Sequence, residues 1–463
     1  MSLVSVVYLV FLAAVALLNY IAPHKWRIYI LLLACGVFYS LNQGMYLLIL
    51  ILSISVNYGI CLLWSNRRAK VWMYLSLVFN ISLLGFFKYI PAILGLGHSF
   101  DGTLLQRMVI PIGLSFFSFQ AMGYMIDLYW SNKKEIASFP DYALFMSFFP
   151  QLLAGPIARG KSFLPQIQQV KRFEYDNVVA GLRRILWGIF KKVVIAGNLS
   201  PYTDAVFQNP QMHQGVTLAI AAFAYTIQIY MDFSGYSDIA IGSAKVLGFN
   251  LMENFRIPLF ARSVTDFWRR WHISLSSWVR DYVFVPLQYQ TRRMGMTGTI
   301  LATLVTFLIF GVWHGANWTL VIFGLMQGVA ISWETISSRY RDKVWSFLPV
   351  WLGNAIANIL VFVFITVSAI FLRAASLWEA VTMFSRFSLD CSAIYLGSKQ
   401  LLIFALLGMA VVLAVDIRKG EMLFSTYLEM QKPVIRWAFY ILSILSILLI
   451  GSISSENFIY FQF

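Results

Sequence analysis

Residues 297–333 read TGTILATLVTFLIFGVWHGANWTLVIFGLMQGVAISW. Two apolar arms flank a polar centre, Gly311-Val312-Trp313-His314-Gly315-Ala316-Asn317-Trp318. Arg292 and Arg293 precede the first arm, and Arg339 and Arg341 follow the second. Basic residues are retained on the cytoplasmic side of a membrane, so the stretch reads as a membrane hairpin with both ends cytoplasmic. The first arm, 298–313, would be about 24 Å long at 1.5 Å per residue, against a hydrocarbon layer of ~30 Å. The turn is therefore expected to stop short of the outer surface, leaving His314 inside the membrane. An ionisable side chain at such depth is a functional candidate. Neutral imidazole accepts a proton from a hydroxyl near neutral pH, which suits a general base. The competing reading is a histidine hydrogen-bonded within a helix bundle. Gly311 and Gly315 leave room for a substrate or for a close-packed helix.

The rest of the chain has the same character. Long apolar runs occur near 3–22, 45–64, 71–90, 108–130, 216–231, 350–372, 400–416 and 435–451, with shorter ones near 28–41 and 141–155. A spanning helix needs ~20 such residues, which gives about eleven transmembrane helices plus re-entrant and interfacial ones. Of 463 residues, 59% are hydrophobic and 12% charged, where a soluble domain carries about 25% charged. The fold class is all-α membrane protein. Residues 1–463 read as one domain whose signature core is 232–334.

Loop charges set the orientation. Lys25 and Arg27 occupy the first connection, Arg67, Arg68 and Lys70 the third, and Lys133 and Lys134 the fifth. Asn42–Gly44 between them carries no charge, and 91–107 carries only Asp101 and Arg107. The alternation puts the amino terminus outside. The first run lacks a basic lead, so it reads as a retained helix and not a cleaved signal. The net charge of +15 is spread over short connections and fits contact with anionic membrane lipids, not nucleic acid. Cys35, Cys61 and Cys391 are scattered, with no paired spacing that indicates metal or a disulfide framework.

Between 232 and 293 the pattern breaks. Asp232-Phe233-Ser234-Gly235-Tyr236-Ser237-Asp238 follows an apolar run directly. Gly235 permits a helix break, and the two carboxylates read either as an interfacial loop, with Ser234 or Ser237 capping the next helix, or as the lining of a polar cavity. From Ser263 to Tyr282, Val264, Trp268, Trp271, Leu275, Trp278 and Tyr282 recur at spacings of three and four. They predict one amphipathic helix lying at the membrane interface. Arg269, Ser276 and Arg280 fall on another face, and His272 on the shoulder between. Ser263 followed by Asp266 resembles a capping box. The basic residues from Arg256 to Arg293 are all arginine, including Arg262, Arg269, Arg270, Arg280 and Arg292. They suit either a dock for a phosphate-bearing donor or simple topology with snorkelling.

The quoted pieces, with Glu253-Asn254-Phe255, Asp266-Phe267-Trp268-Arg269-Arg270-Trp271-His272-Ile273-Ser274-Leu275-Ser276 and Val312-Trp313-His314-Gly315, together resemble the membrane-bound O-acyltransferase family. The similarity is to its bacterial alginate O-acetyltransferase-like branch, with the D-alanyl-lipoteichoic acid membrane protein more distant. Weaker similarity runs through Pro111–Phe116, Phe149–Pro156 and Phe458–Phe461.

The resemblance implies a ring of tilted helices around a thin centre holding the catalytic histidine. His314 matches that residue. His272 matches a second, more variable polar position. Candidates for donor or substrate binding are Asp232, Ser234, Tyr236, Ser237, Asp238, Asn254, Arg269, Arg270, Trp271, Ser276, Arg280, Trp313 and Asn317. The donor implied is acetyl-CoA or another acyl thioester from the cytoplasm, with no permanently bound cofactor and no metal. The final acceptor implied is an extracytoplasmic polysaccharide, reached through a separate esterase-like acetyltransferase partner at the bacterial cytoplasmic membrane. The alginate branch has histidine where this sequence has Gln151, so alginate, cellulose and peptidoglycan all stay open. The alternative function is a transporter of an activated small molecule, in which two histidines serve proton coupling.

Overall fold

The computed structural model describes residues 1–64, 68–90, 110–131, 136–153, 155–391 and 394–452, and every element among them is helical. Arg67, the 91–107 connection, Lys133, Lys134, Ala154 and Phe458–Phe461 lie outside the described residues.

Eight helical stretches among the described residues are long and apolar enough to cross a membrane. The first, His24–Leu62, carries two of the expected runs, separated by a short turn at Gly44–Tyr46. The run at 28–41 is thus part of a full helix, His24–Gln43. Val6–Ile21 is apolar but has only 16 residues. The run at 108–130 becomes the helix Leu114–Ser131, which Gln120 and Asp127 make less apolar. The run at 141–155 breaks at Phe148 into Phe139–Ser147 and Phe149–Leu152. Pro150 has no amide hydrogen to continue the first of these helices.

The chain divides into two compact units: Met1–Ile185 with Tyr236–Glu253, and Leu186–Gly235 with Asn254–Phe463. In the first, a buried polar knot ties the helices Leu47–Leu62 and Ala69–Leu84. Ser76 donates to Asn57 Oδ1 at 2.7 Å and Asn80 Nδ2 to the same oxygen at 2.9 Å. Buried amides and hydroxyls are tolerated in an apolar setting when they satisfy one another in this way. The same unit holds Arg184 between Asp238, at 3.0 Å, and Glu253, at 2.6 Å.

The second unit contains the hairpin, Gly295–His314 followed by Trp318–Trp345. Its arms pack through glycine. A methyl group on Gly311 would meet the Leu320 carbonyl oxygen at 2.6 Å, and one on Gly324 the Phe307 oxygen at 2.4 Å. Gly311 therefore serves the helix seam. The first arm has 20 residues, about 30 Å at 1.5 Å per residue. It is longer than the sequence pattern indicated, because the helix starts at Gly295. The arm is long enough to cross, so its length no longer argues that His314 stops within the membrane.

Two further expectations are corrected. Val216–Val246 is one continuous 31-residue helix, with no break at Gly235. That glycine admits a close neighbour instead: a methyl there would meet the Gly188 carbonyl at 2.6 Å. The stretch 263–282 is not one helix either. It forms Val264–Arg270 and Ile273–Val279, then a π-helical turn, Arg280–Phe284. Tertiary hydrogen bonds described below interrupt it at His272, and side-chain periodicity cannot reveal them.

Candidate active site

His314 is the last residue of its helix, 6% exposed. Phe310 presents a ring edge to it at 4.7 Å between centroids, Trp313 lies at 4.8 Å, and Phe323, from the second arm, at 5.9 Å. Phe310 and Trp313 are placed by helical spacing, and Phe323 by the glycine seam. Beyond His314 the chain turns at Gly315, and Asn317 starts the second arm. Asn317 Oδ1 accepts from the Thr319 amide at 3.2 Å, and its Nδ2 donates to the Ala375 oxygen at 2.8 Å. Asn317 is thus used in shaping the turn.

His272 is built differently. It stands between the two short helices with φ 42° and ψ 53°, a left-handed conformation. Among the described residues the other non-glycine with positive φ is Ile257. Such conformations cost about 1–2 kcal/mol in an L-residue and concentrate at functional sites. Both lie on a loop pair fastened by hydrogen bonds. The Arg256 amide donates to the Arg270 oxygen, and the Ile273 amide to the Asn254 oxygen, both at 2.9 Å.

Asn254 is fully buried, and its Oδ1 accepts from the Ser274 amide at 3.2 Å and the Ser274 hydroxyl at 2.9 Å. His272 Nδ1 lies 3.2 Å from the same oxygen. An amide oxygen only accepts, so Nδ1 carries the proton and, in the neutral ring, Nε2 presents a lone pair. Burial pushes His272 down to about 3, slightly offset by a hydrogen bond to its own backbone. The ring is neutral at physiological pH. Phe233 packs edge-on against it at 4.7 Å.

A cavity of about 420 Å³ adjoins both elements. Neither histidine lines it, but Phe310, which abuts His314, and Ile273, which follows His272, do. Trp268, Arg269, Ser276 and Arg280 form part of its wall. Trp268 is wedged against Phe310 at 4.9 Å, and its indole donates to Gln327 on the second arm at 3.2 Å. Glu334, on the same arm, accepts from the amides of Val264 and Thr265, the latter at 3.0 Å. A carboxylate over the first amides of a helix satisfies donors that have no partner within it. Gln327 and Glu334 therefore seat the Trp268–Arg269 helix on the hairpin. The Ser263 hydroxyl accepts from the Asp266 amide at 2.9 Å. The Asp266 carboxylate takes the Arg262 amide at 3.1 Å and pairs with Arg270 at 2.8 Å. Arg280 pairs with Asp281 at 2.8 Å and is largely exposed.

The remaining sequence candidates separate. Trp271 stacks on Phe267 and meets Phe255 edge-on, as part of the His272 loop. Asp232 is buried in an ion pair with Lys192, and Ser234, two residues further on, is buried as well. Tyr236, Ser237 and Asp238 belong to the other unit, where Asp238 holds Arg184. Gln327, Glu334, Lys192 and Arg184 were not found by sequence reasoning. Each is a polar residue within or beside an apolar run, and that was the available signal.

Comparison with known proteins identifies the family. The family model for MBOAT, the membrane-bound O-acyltransferase family, matches residues 28–376. The chain is 36% identical over 339 residues to the Azotobacter vinelandii protein named "Probable alginate O-acetylase AlgI", covering 70% of this chain and 66% of that one. It is 34% identical over 397 residues to the Helicobacter pylori "Peptidoglycan O-acetyltransferase", covering 78% and 73%. It is 27% identical over 253 residues to the Bacillus subtilis "Teichoic acid D-alanyltransferase", covering 53% and 63%. The chain belongs to the membrane-bound O-acyltransferase family of multi-pass membrane enzymes.

Proposed function

We propose that this protein passes an acyl group, acetyl in the simplest case, from a cytoplasmic thioester to a hydroxyl on the opposite side of a bacterial cytoplasmic membrane. The observation that carries the reading is the arginine-bearing cavity whose Phe310 wall abuts the His314 ring. The thioester occupies that cavity, with Arg269 as its anion contact. Arg269 makes no ion pair or hydrogen bond among the described residues, so its donors are available to a phosphate.

In the transfer step, His314 takes the proton of the acceptor hydroxyl as the oxygen attacks the thioester carbonyl. A new C–O bond forms, the C–S bond breaks, and the departing sulfur receives the proton from His314, leaving a free thiol. His272, neutral and held by Asn254, assists by accepting a hydrogen bond through Nε2. The relatives' names point to a surface polysaccharide, with alginate and peptidoglycan among the candidates. The amino terminus lies outside in this scheme. A separate extracytoplasmic protein completes delivery to the glycan.

The test is reconstitution in liposomes with acetyl-CoA inside and an acceptor outside. Thiol release that depends on the acceptor and is lost in His314→Ala supports the scheme. Uptake of the donor without thiol release indicates transport and overturns it.

A further inference from the structure

The cavity wall has an asymmetry of hydrogen bonding. Seven hydroxyl groups line it, and each gives its proton to the protein. On the hairpin's first arm Thr299 donates to the Gly295 oxygen at 3.5 Å, Thr303 to the Thr299 oxygen at 2.9 Å, and Thr306 to the Ala302 oxygen at 2.6 Å. On the second arm Thr335 donates to the Ile331 oxygen at 2.9 Å. Across the cavity Ser276 donates to the Trp271 oxygen at 3.0 Å, Ser277 to the Ser274 oxygen at 3.1 Å, and Thr265 to Glu334 at 2.7 Å. A hydroxyl has one proton, so all seven face a ligand as acceptors only. Trp268 also spends its N–H, on Gln327. The side-chain donors left on this wall are the guanidinium groups of Arg269 and Arg280.

A ligand matched to such a wall carries an anionic group for the arginines and N–H donors along an otherwise apolar arm. Thr303 and Thr306 are the best placed to receive them. Thr299 already accepts from Gln288 at 3.3 Å. Thr303, Thr306, Phe310 and His314 follow one another at spacings of three and four, so they share one helix face. Thr306 lies eight residues before His314, about 12 Å along the axis. An extended chain gains roughly 3.5 Å per three bonds, so a group reaching Thr306 lies about ten bonds from the reacting carbonyl.

We propose that Thr303 and Thr306 are specificity-determining residues that accept the remote amide N–H of an amide-bearing thioester donor. This rests on the reading of the cavity as the donor site. It predicts that the enzyme distinguishes donors by an amide far from the thioester and not by one beside it.

The experiment compares two donors in the full-length reconstituted protein. S-acetylpantetheine carries the remote amide, and S-acetyl-N-acetylcysteamine stops at the near one. Thr303→Val and Thr306→Val keep shape while removing the acceptor. Losing one such hydrogen bond lowers kcat/KM by about five- to tenfold. The loss is expected with acetylpantetheine, through KM, and is not expected with the truncated donor. Thr306→Ser, which keeps a hydroxyl, is expected to restore it. Equal losses with both donors, or none with either, overturn the proposal. Ser277→Trp, which fills the cavity, tests the underlying reading separately. If it leaves both donors unaffected, the cavity is not the donor site and both ideas fall. If it blocks both donors while the valine variants do nothing, only the amide reading falls.

Discussion

The two candidate histidines, His272 and His314, are buried to similar degrees, yet their surroundings have little in common. His314 ends a long helix and meets three aromatic rings. Its position follows from helix packing, through Phe310 one turn back and the Gly311–Gly324 seam. His272 sits at a left-handed break, where Asn254 and Ser274 fix the ring through Nδ1. The rings around His314 fix it by packing. A ring clamped through one nitrogen and kept neutral by burial offers a fixed lone pair. The difference is the reason proton transfer is proposed for His314 and orientation for His272.

The largest effect expected is on His314. His314→Ala should lower the transfer rate by ~10²–10⁴-fold, the usual contribution of a general base. Membrane protein levels should be unchanged, because the substitution falls at the end of a helix. Near-wild-type thiol release would move the base elsewhere and dissolve the comparison.

The carboxylates give the next largest effect, on stability and not on rate. Asp232 pairs with Lys192, and Asp238 with Arg184. Removing one member of a buried pair typically costs about 3–5 kcal/mol. Asp232→Asn should therefore lower the amount of protein in the membrane and its melting temperature in detergent. The fraction that survives should keep its KM for the donor. A raised KM with normal stability would return Asp232 to the substrate site, where the sequence motif placed it.

These cases show what the sequence made legible. The hairpin and His314 could be read because an apolar run interrupted by one ionisable residue is a local signal. The two short helices around His272 could not. Their break depends on hydrogen bonds from Asn254 and Arg256, more than ten residues away, while the spacing of Trp268, Trp271 and Trp278 is that of an unbroken helix. The depth of His314 was inferred from an arm that begins three residues earlier than its apolar pattern suggests. Glu334 and Gln327 escaped notice because a single polar residue on an apolar arm does not announce which helix it will hold. Lys192 and Arg184 were missed because the partner of a motif carboxylate is set by packing.

A smaller effect tests the clamp. Asn254→Ala removes the acceptor that orients His272 but leaves the imidazole in place. If orientation is its role, Asn254→Ala and His272→Ala should reduce the rate to a similar extent, about tenfold for loss of one oriented hydrogen bond. The double variant should then be no worse than either alone, since both remove one interaction. Additive losses would show that His272 acts without Asn254.

The smallest effect is a pH dependence of stability. Burial lowers His272 from its ordinary value of 6.5 to about 3. Between those values the unfolded chain binds a proton at this position and the folded protein does not. Stability from this group is therefore complete above pH 6.5 and is lost as the pH falls toward 3. From pH 7.5 to 5.5 the loss is on the order of 1 kcal/mol, because only the last unit lies below the unfolded value. His272→Asn has nothing to titrate, so its melting temperature in detergent should fall less over that interval than the wild type's. If wild type and His272→Asn lose stability in parallel, the ring is not held neutral. The clamp would then leave it able to share the proton transfer assigned to His314.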